Sequence, residues 1–393
     1  MRLFSRLRAS TVGTAGVLVA IALTAGCGSD STPPPAAVTA TPTPTATPSP
    51  TPAAHSIIFL STEGEDLNVY DVNNGFRKQA VVFGGEDEHA GGLSLNGEVC
   101  FAPDGSRVFA TGDDAGQPEI SPGWSVFQLH GNRVGEFTYT HIAKLSPTYQ
   151  AEPDNYGCAF LHDGRLLTTD IGNSRSGPAT GQLVVWFPPF DAPTPRYCKI
   201  DIAIGTAGGI YVDSADNVYV ASARENPGVF RYRPPFPTSD DAAGGCGQHD
   251  GTGAALADHV VREVFIPADA VARTPNAIIA SNHGTFYVSS IFNGAIGEYD
   301  ADGKFVRKVL SPPHGETLGP KPYSTGSPFG LAVDSQDSLY YADLGLVNVN
   351  GVIGPGHLTG TVRRIRFEND QPLPPETIDS MLAFPDGVGV LEE

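Results

Sequence analysis

Between residues 56 and 393 the apolar positions come in short bursts with no helical rhythm. The stretch "GLAVDSQDSLYYAD" at 330–343 shows the unit: a short apolar strand, a turn built on Asp and Ser, then a second strand rich in aromatics. Runs of four to six apolar or alternating residues, punctuated by Gly, Asp, Asn and Pro, predict β-strands joined by tight turns. The unit recurs as "GEVCFAPDGSRVFATGD" at 97–113, "GCAFLHDGRLLTTD" at 157–170, "GGIYVDSADNVYVAS" at 208–222 and "NAIIASNHGTFYVSS" at 276–290. A sixth copy is divided. "PDGVGVL" at 385–391 supplies its first strand and "SIIFLST" at 56–62 its second.

The positions that lead into the first strand of each copy are Gly97, Tyr156, Gly208, Asn276, Phe329 and Asp386, spaced 52 to 68 residues apart. Further strands follow within each copy, such as "GQLVVWF" then "RYCKIDIAI", and "GAIGEYD" then "FVRKVLS". Four short strands per unit of about 55 residues is the pattern of a propeller blade. The predicted fold is therefore all-β: a six-bladed β-propeller over 56–393, its closing blade shared between the two ends of the domain. Completing one blade from both ends closes the ring and leaves no open seam. An open β-sandwich array or two smaller β domains is the alternative arrangement.

The first 55 residues belong to no blade. Arg2, Arg6 and Arg8 precede an uncharged stretch, Val17 to Leu23, that ends in Leu23-Thr24-Ala25-Gly26-Cys27. This reads as a secretory signal over 1–26. With the cysteine at the cut it resembles the lipobox of bacterial lipoproteins, although Thr24 stands where that family prefers Leu. The resemblance implies a lipidated Cys27, carrying acyl chains such as palmitate, and a tether to the membrane. Residues 27–55 hold eight prolines among Thr, Ser and Ala. They predict a disordered linker of extended polyproline character, with a reach of roughly 85 Å.

Composition narrows the partners. The chain has 24 Lys and Arg against 43 Asp and Glu, a net charge of −19, and loss of the signal's arginines makes it more acidic still. Such a chain repels nucleic acid, so the expected partners are a protein or a small-molecule ligand, with the membrane reached only through the anchor. The folded part is expected to be a monomer. Setting Cys27 aside leaves Cys100, Cys158, Cys198 and Cys246, enough for two disulfides in an exported protein. Cys198 lies in an outer strand and Cys246 in a loop insertion of the next blade, which favours a Cys198–Cys246 bridge. Cys100 and Cys158 lie on first strands of adjacent blades, one position out of step, and are expected to remain small buried thiols.

"GLAVDSQDSLYYAD" and "NAIIASNHGTFYVSS…IGEYDADGKFVRKV" are similar to the repeat of NHL propellers and of six-bladed gluconolactonase/regucalcin-like (SMP-30) propellers. In the latter family the channel mouth holds a divalent cation on one Glu, two Asn and one Asp. The cation polarises a lactone carbonyl and activates water. By that resemblance Glu98 stands for the Glu, Asn276 for an Asn, and Asn155 for a further oxygen ligand of a Ca²⁺ or Zn²⁺ ion. The Asp of the family's Pro-Asp-Gly turn is replaced by Phe329 in Pro328-Phe329-Gly330. Asp386 supplies an Asp one blade further on. Each residue also has an ordinary structural role: Asn in such turns caps its own backbone, and Asp386 sits in a common Pro-Asp-Gly turn. Tyr156 and Phe329 can equally form an apolar floor for a ligand or a plug. No GxSxG, SxxK, HExxH or phosphate-loop pattern occurs. The expected function is a membrane-tethered, extracytoplasmic propeller that binds a ligand or partner through its channel-mouth loops. The alternative is a metal-dependent lactonase or esterase of the gluconolactonase type.

Overall fold

Six blades of four antiparallel strands, one of them extended to a six-stranded sheet, stand around a common axis in the computed structural model, which describes residues 55–62, 67–82, 95–113, 123–146, 155–172, 180–311, 327–349 and 352–393. Strands are given innermost first. Blade one is Pro385–Glu392, Ser56–Thr62, Leu67–Asp71 and Arg77–Val82. Blade two is Leu95–Phe101, Val108–Asp113, Gly123–His130 and Thr138–Leu145. Blade three is Asn155–Phe160, Leu166–Asp170, Gln182–Phe187 and Arg196–Asp201. Blade four is Ala207–Val212, Val218–Ser222, Gly228–Arg233 and Val261–Pro267. Blade five is Pro275–Ala280, Phe286–Ser290, Ala295–Tyr299 and Phe305–Leu310. Blade six is Pro328–Val333, Leu339–Asp343, Gly360–Ile365 and Glu376–Leu382. The first strands of successive blades touch all the way round, including blade six against blade one. The signal, Cys27 and the linker up to residue 54 lie outside the described residues.

The burial pattern follows from this stacking. A blade is covered on both faces by its neighbours, so its second strand has no solvent side and reads as a continuous buried run: Leu166–Asp170, Val218–Ser222, Phe286–Ser290 and Leu339–Asp343 are buried at every position. Outer strands regain a wet face, and Phe305–Leu310 is exposed over its first half. Between blades the faces interlock. Trp124 and Trp186 meet with ring centroids 6.0 Å apart at the seam of blades two and three. The turn between first and second strands is held by its own aspartate. Asp213 accepts the amides of Ala215 and Asn217, both at 2.9 Å, and Asp334 those of Gln336 and Ser338 at 3.0 and 2.8 Å. The Asp-Ser motif seen in the sequence thus closes the hairpin, as short polar side chains do.

The closing blade is split as the sequence predicted. Pro385–Glu392 pairs antiparallel with Ser56–Thr62 over its full length, from Ser56 opposite Glu392 to Thr62 opposite Pro385. The connection 234–260 in blade four crosses to blade three. There Ala255–Leu256 adds to the edge of Arg196–Asp201, and Cys198 bonds Cys246 with Cα atoms 6.2 Å apart.

One expectation is corrected. Cys100 and Cys158 are joined, with Cα atoms 5.8 Å apart. The two cysteines do stand one step apart, since Cys158 occupies the position of Val99, yet that offset is what lets them pair. Alternate residues of a strand face opposite sides. Two neighbouring blades present the front of one to the back of the next, so residues one step out of register are the ones that meet.

Candidate functional site at the channel mouth

All six first strands share one irregularity, and it falls on the predicted lead-in positions. The pairing skips Gly97-Glu98, Tyr156-Gly157, Gly208-Gly209, Asn276-Ala277 and Phe329-Gly330, and in blade one it skips Asp386. Such bulges turn the skipped residues toward the axis. They also leave backbone groups on the channel side without ladder partners, and hydroxyls of the second strands take these up. Ser61 accepts from Gly387 N at 3.2 Å and donates to Gly97 O of the next blade at 2.5 Å. Thr169 accepts from Gly157 N at 2.8 Å and donates to Gly208 O at 2.6 Å. Ser289 accepts from Ala277 N at 3.0 Å and donates to Phe329 O at 2.8 Å. Blades one, three and five are thereby stitched to their successors.

Two rings of residues result. The second bulge position is Glu98, Gly157, Gly209, Ala277, Gly330 and Gly387: five small residues and one carboxylic acid. A side chain on Gly157 would strike Thr169 Oγ1 and Gly208 O, at 2.5 and 2.6 Å, and one on Gly209 would strike Glu98 Oε1. The space left by the small residues is the space Glu98 occupies. Glu98 Oε2 accepts from Ile210 N at 2.9 Å and Cys158 N at 3.3 Å, so a side chain of blade two binds the first strands of blades three and four. Burial pushes its pKa up to about 8, against the lowering effect of those two amides.

The first bulge position carries Tyr156, Asn276, Phe329 and Asp386. Blades three and six lie opposite each other, and the rings of Tyr156 and Phe329 meet across the channel with centroids 4.6 Å apart. The Tyr156 hydroxyl donates to Asp386 O at 3.2 Å, and the Asn276 side chain hydrogen-bonds the same phenol. Burial, with the nearby Glu98 and Asp386 charges, holds the phenol well above its ordinary pKa. Phe384 packs edge-on to Phe329 at 6.5 Å.

The structure thus gathers Glu98, Tyr156, Asn276, Phe329 and Asp386 around one point, all of them buried. The donor set does not fit a divalent cation. Glu98 commits a carboxyl oxygen to two amides. The Asn276 amide nitrogen is 3.5 Å from Phe329 O, and the Ser61 hydroxyl is 3.0 Å from Asp386 Oδ1. Tyr156 and Phe329 are in contact beside these groups. Asn155 turns away from this group: its amide nitrogen is 3.5 Å from Asn96 Oδ1 in blade two, and its own Oδ1 is buried with no hydrogen-bond partner among the described residues. Among the described residues no three His, Cys, Asp or Glu side chains are placed to share a metal.

Above the Tyr156–Phe329 pair lies an apolar rim that the sequence analysis passed over. Ile291, Leu344 and Leu346 are buried against the pair, and Ile171, Phe292 and Phe384 are partly buried around them. The signal was present in the repeat, one residue past its end. The second strand stops at a polar residue and an aliphatic one follows, as in Asp170-Ile171, Ser290-Ile291 and Asp343-Leu344.

No protein-family model matches the chain, and no curated protein sequence matches it. Solved structures do. A nidogen/laminin complex is similar at a TM-score of 0.52 and 12% identity, over 85% of this chain and 98% of that one. A luciferin-regenerating enzyme gives a TM-score of 0.51 and 13% identity, over 84% and 94%. A protein of unknown function from Bacteroides caccae gives 0.50 and 11%, over 86% and 100%. At such identities the likeness is one of fold, and that fold is the six-bladed propeller.

Proposed function

We infer that this chain is an exported, lipid-anchored NHL-like propeller that binds a small ligand or a protein partner at its channel mouth, without catalysis of its own. The observation that carries this reading is the contact of Tyr156 with Phe329 across the channel. In the gluconolactonase-type alternative a metal and its carboxylate ligand would occupy that level. Here a ring takes the ligand's place and a second ring closes on it. What remains above is an aromatic floor with an apolar rim, the kind of surface that holds a ligand by shape and burial. Two measurements test the assignment. Titration with the neutral probe N-phenyl-1-naphthylamine should show one site per chain, weakened by about tenfold or more in Phe384→Ser. A panel of lactones and aryl esters, with and without Ca²⁺ or Zn²⁺, should show no turnover. Turnover that needs metal and disappears in Glu98→Gln would establish the hydrolase instead.

A further inference from the structure

We propose that the mouth selects an amphipathic anion, a small hydrocarbon ring or chain bearing a single carboxylate, sulfonate or phosphate group. This rests on the reading of the mouth as a binding site and adds the chemical class of what it binds. The argument is one of charge. Among the described residues many arginines are engaged: Arg107, Arg165, Arg196, Arg231, Arg262 and Arg364, for example, each pair with a carboxylate.

Two arginines on the rim differ. Arg224 lies in the turn after Val218–Ser222, on the mouth side of blade four. Its guanidinium stands 5.1 Å from the centroid of the Phe292 ring. Arg273 is exposed and directly precedes Thr274, which binds the neighbouring apolar turn through both its oxygens. The Thr274 carbonyl accepts from Ile291 N at 3.3 Å and its hydroxyl from Phe292 N at 3.1 Å. Among the described residues neither arginine has a carboxylate partner.

The acids beside them are committed elsewhere. Glu225 accepts from the Thr206 hydroxyl at 2.8 Å. Asp269 accepts the amides of Val271 and Ala272 at 2.6 and 2.7 Å and the Tyr299 phenol at 3.0 Å. With these acids beside the arginines, the rim is no broad basic surface for a polyanion. Arg224 and Arg273 are the positive groups the rim offers to an anion. A guanidinium laid over an aromatic ring is weakly hydrated and presents its planar fork of N–H donors to an oxyanion. Phe292 and Phe384 then flank the position of the hydrocarbon, above Phe329.

A matched pair of probes separates the contributions: 8-anilinonaphthalene-1-sulfonate, and N-phenyl-1-naphthylamine, which has the same rings without the sulfonate. The sulfonate should bind one per folded chain, about tenfold tighter than the neutral amine. Arg224→Gln combined with Arg273→Gln should weaken the sulfonate by about fivefold or more and leave the amine unchanged. Raising salt from about 0.05 to about 0.5 M should weaken only the sulfonate. Equal affinities for the two probes, or a sulfonate affinity indifferent to the double substitution, would overturn the anion selectivity. In that case Phe384→Ser weakening both probes would leave the mouth reading standing. Indifference of both probes to Phe384→Ser would remove both conclusions.

Discussion

Glu98 shows how much one position in a repeat can hold. Its counterparts are Gly or Ala in every other blade, and its carboxyl enters the space they leave to bind two backbone amides of two further blades. The pKa rises from 4.5 to about 8 because the charged form is desolvated. The folded chain therefore keeps a proton that the unfolded chain releases. This stabilisation is complete below about pH 4.5, declines as pH rises, and is gone above about pH 8, a change of several kcal/mol. The melting temperature should fall between pH 5 and pH 8, and Glu98→Gln, which keeps an acceptor oxygen but cannot ionise, should flatten that slope. Equal slopes in the two proteins would mean that the carboxyl is not desolvated. That Glu98, Asn276, Phe329 and Asp386 lie at the first-strand bulges was legible because each follows from its place in the repeat. That the Tyr156 ring crosses the axis to reach blade six was not, because a lead-in position says which residues face the channel and nothing of how far each side chain reaches.

At the level of elements, the repeat was legible to the residue. The six lead-in positions are the six bulges, since a strand that must turn its start toward an axis needs the same irregularity in every blade. The split blade depends on pairing between residues 336 apart, such as Ser56 and Glu392, whose side chains lie 3.0 Å apart. Deleting residues 384–393 removes the innermost strand of blade one together with its contacts to blades two and six. The cost should reach several kcal/mol, comparable to the net stability of a whole domain at about 5–15 kcal/mol. Melting followed by circular dichroism tests this, and an unchanged transition would refute closure by the C-terminal strand. The Cys100–Cys158 bridge marks the limit of reasoning strand by strand. Whether two residues meet between blades depends on which faces oppose each other, and that is a property of the stacked pair.

For the whole molecule, the two ends of the propeller differ. The mouth lies where first strands begin, whereas the chain enters blade one at the other face, where His55 N bonds Glu393 O and Glu393 N bonds His55 O, both at 3.0 Å. The described chain thus enters the propeller at the face opposite the mouth. If Cys27 carries the lipid, Cys27→Ser should shift the protein from the detergent phase of a membrane extract to the soluble fraction. A variant that still partitions with membranes would discard the lipid anchor.

The sequence by itself determined the number of blades, their boundaries, the shared closing blade and the ring of residues at the mouth. All of these follow from local periodicity repeated at regular spacing, and periodicity survives in one dimension. Tertiary structure alone decided that Tyr156 and Phe329 meet across the channel, that Glu98 is buried against the amides of two other blades, and that Arg224 stands over Phe292. Each depends on side chains from blades far apart in the chain converging on one axis, where packing and desolvation set the outcome.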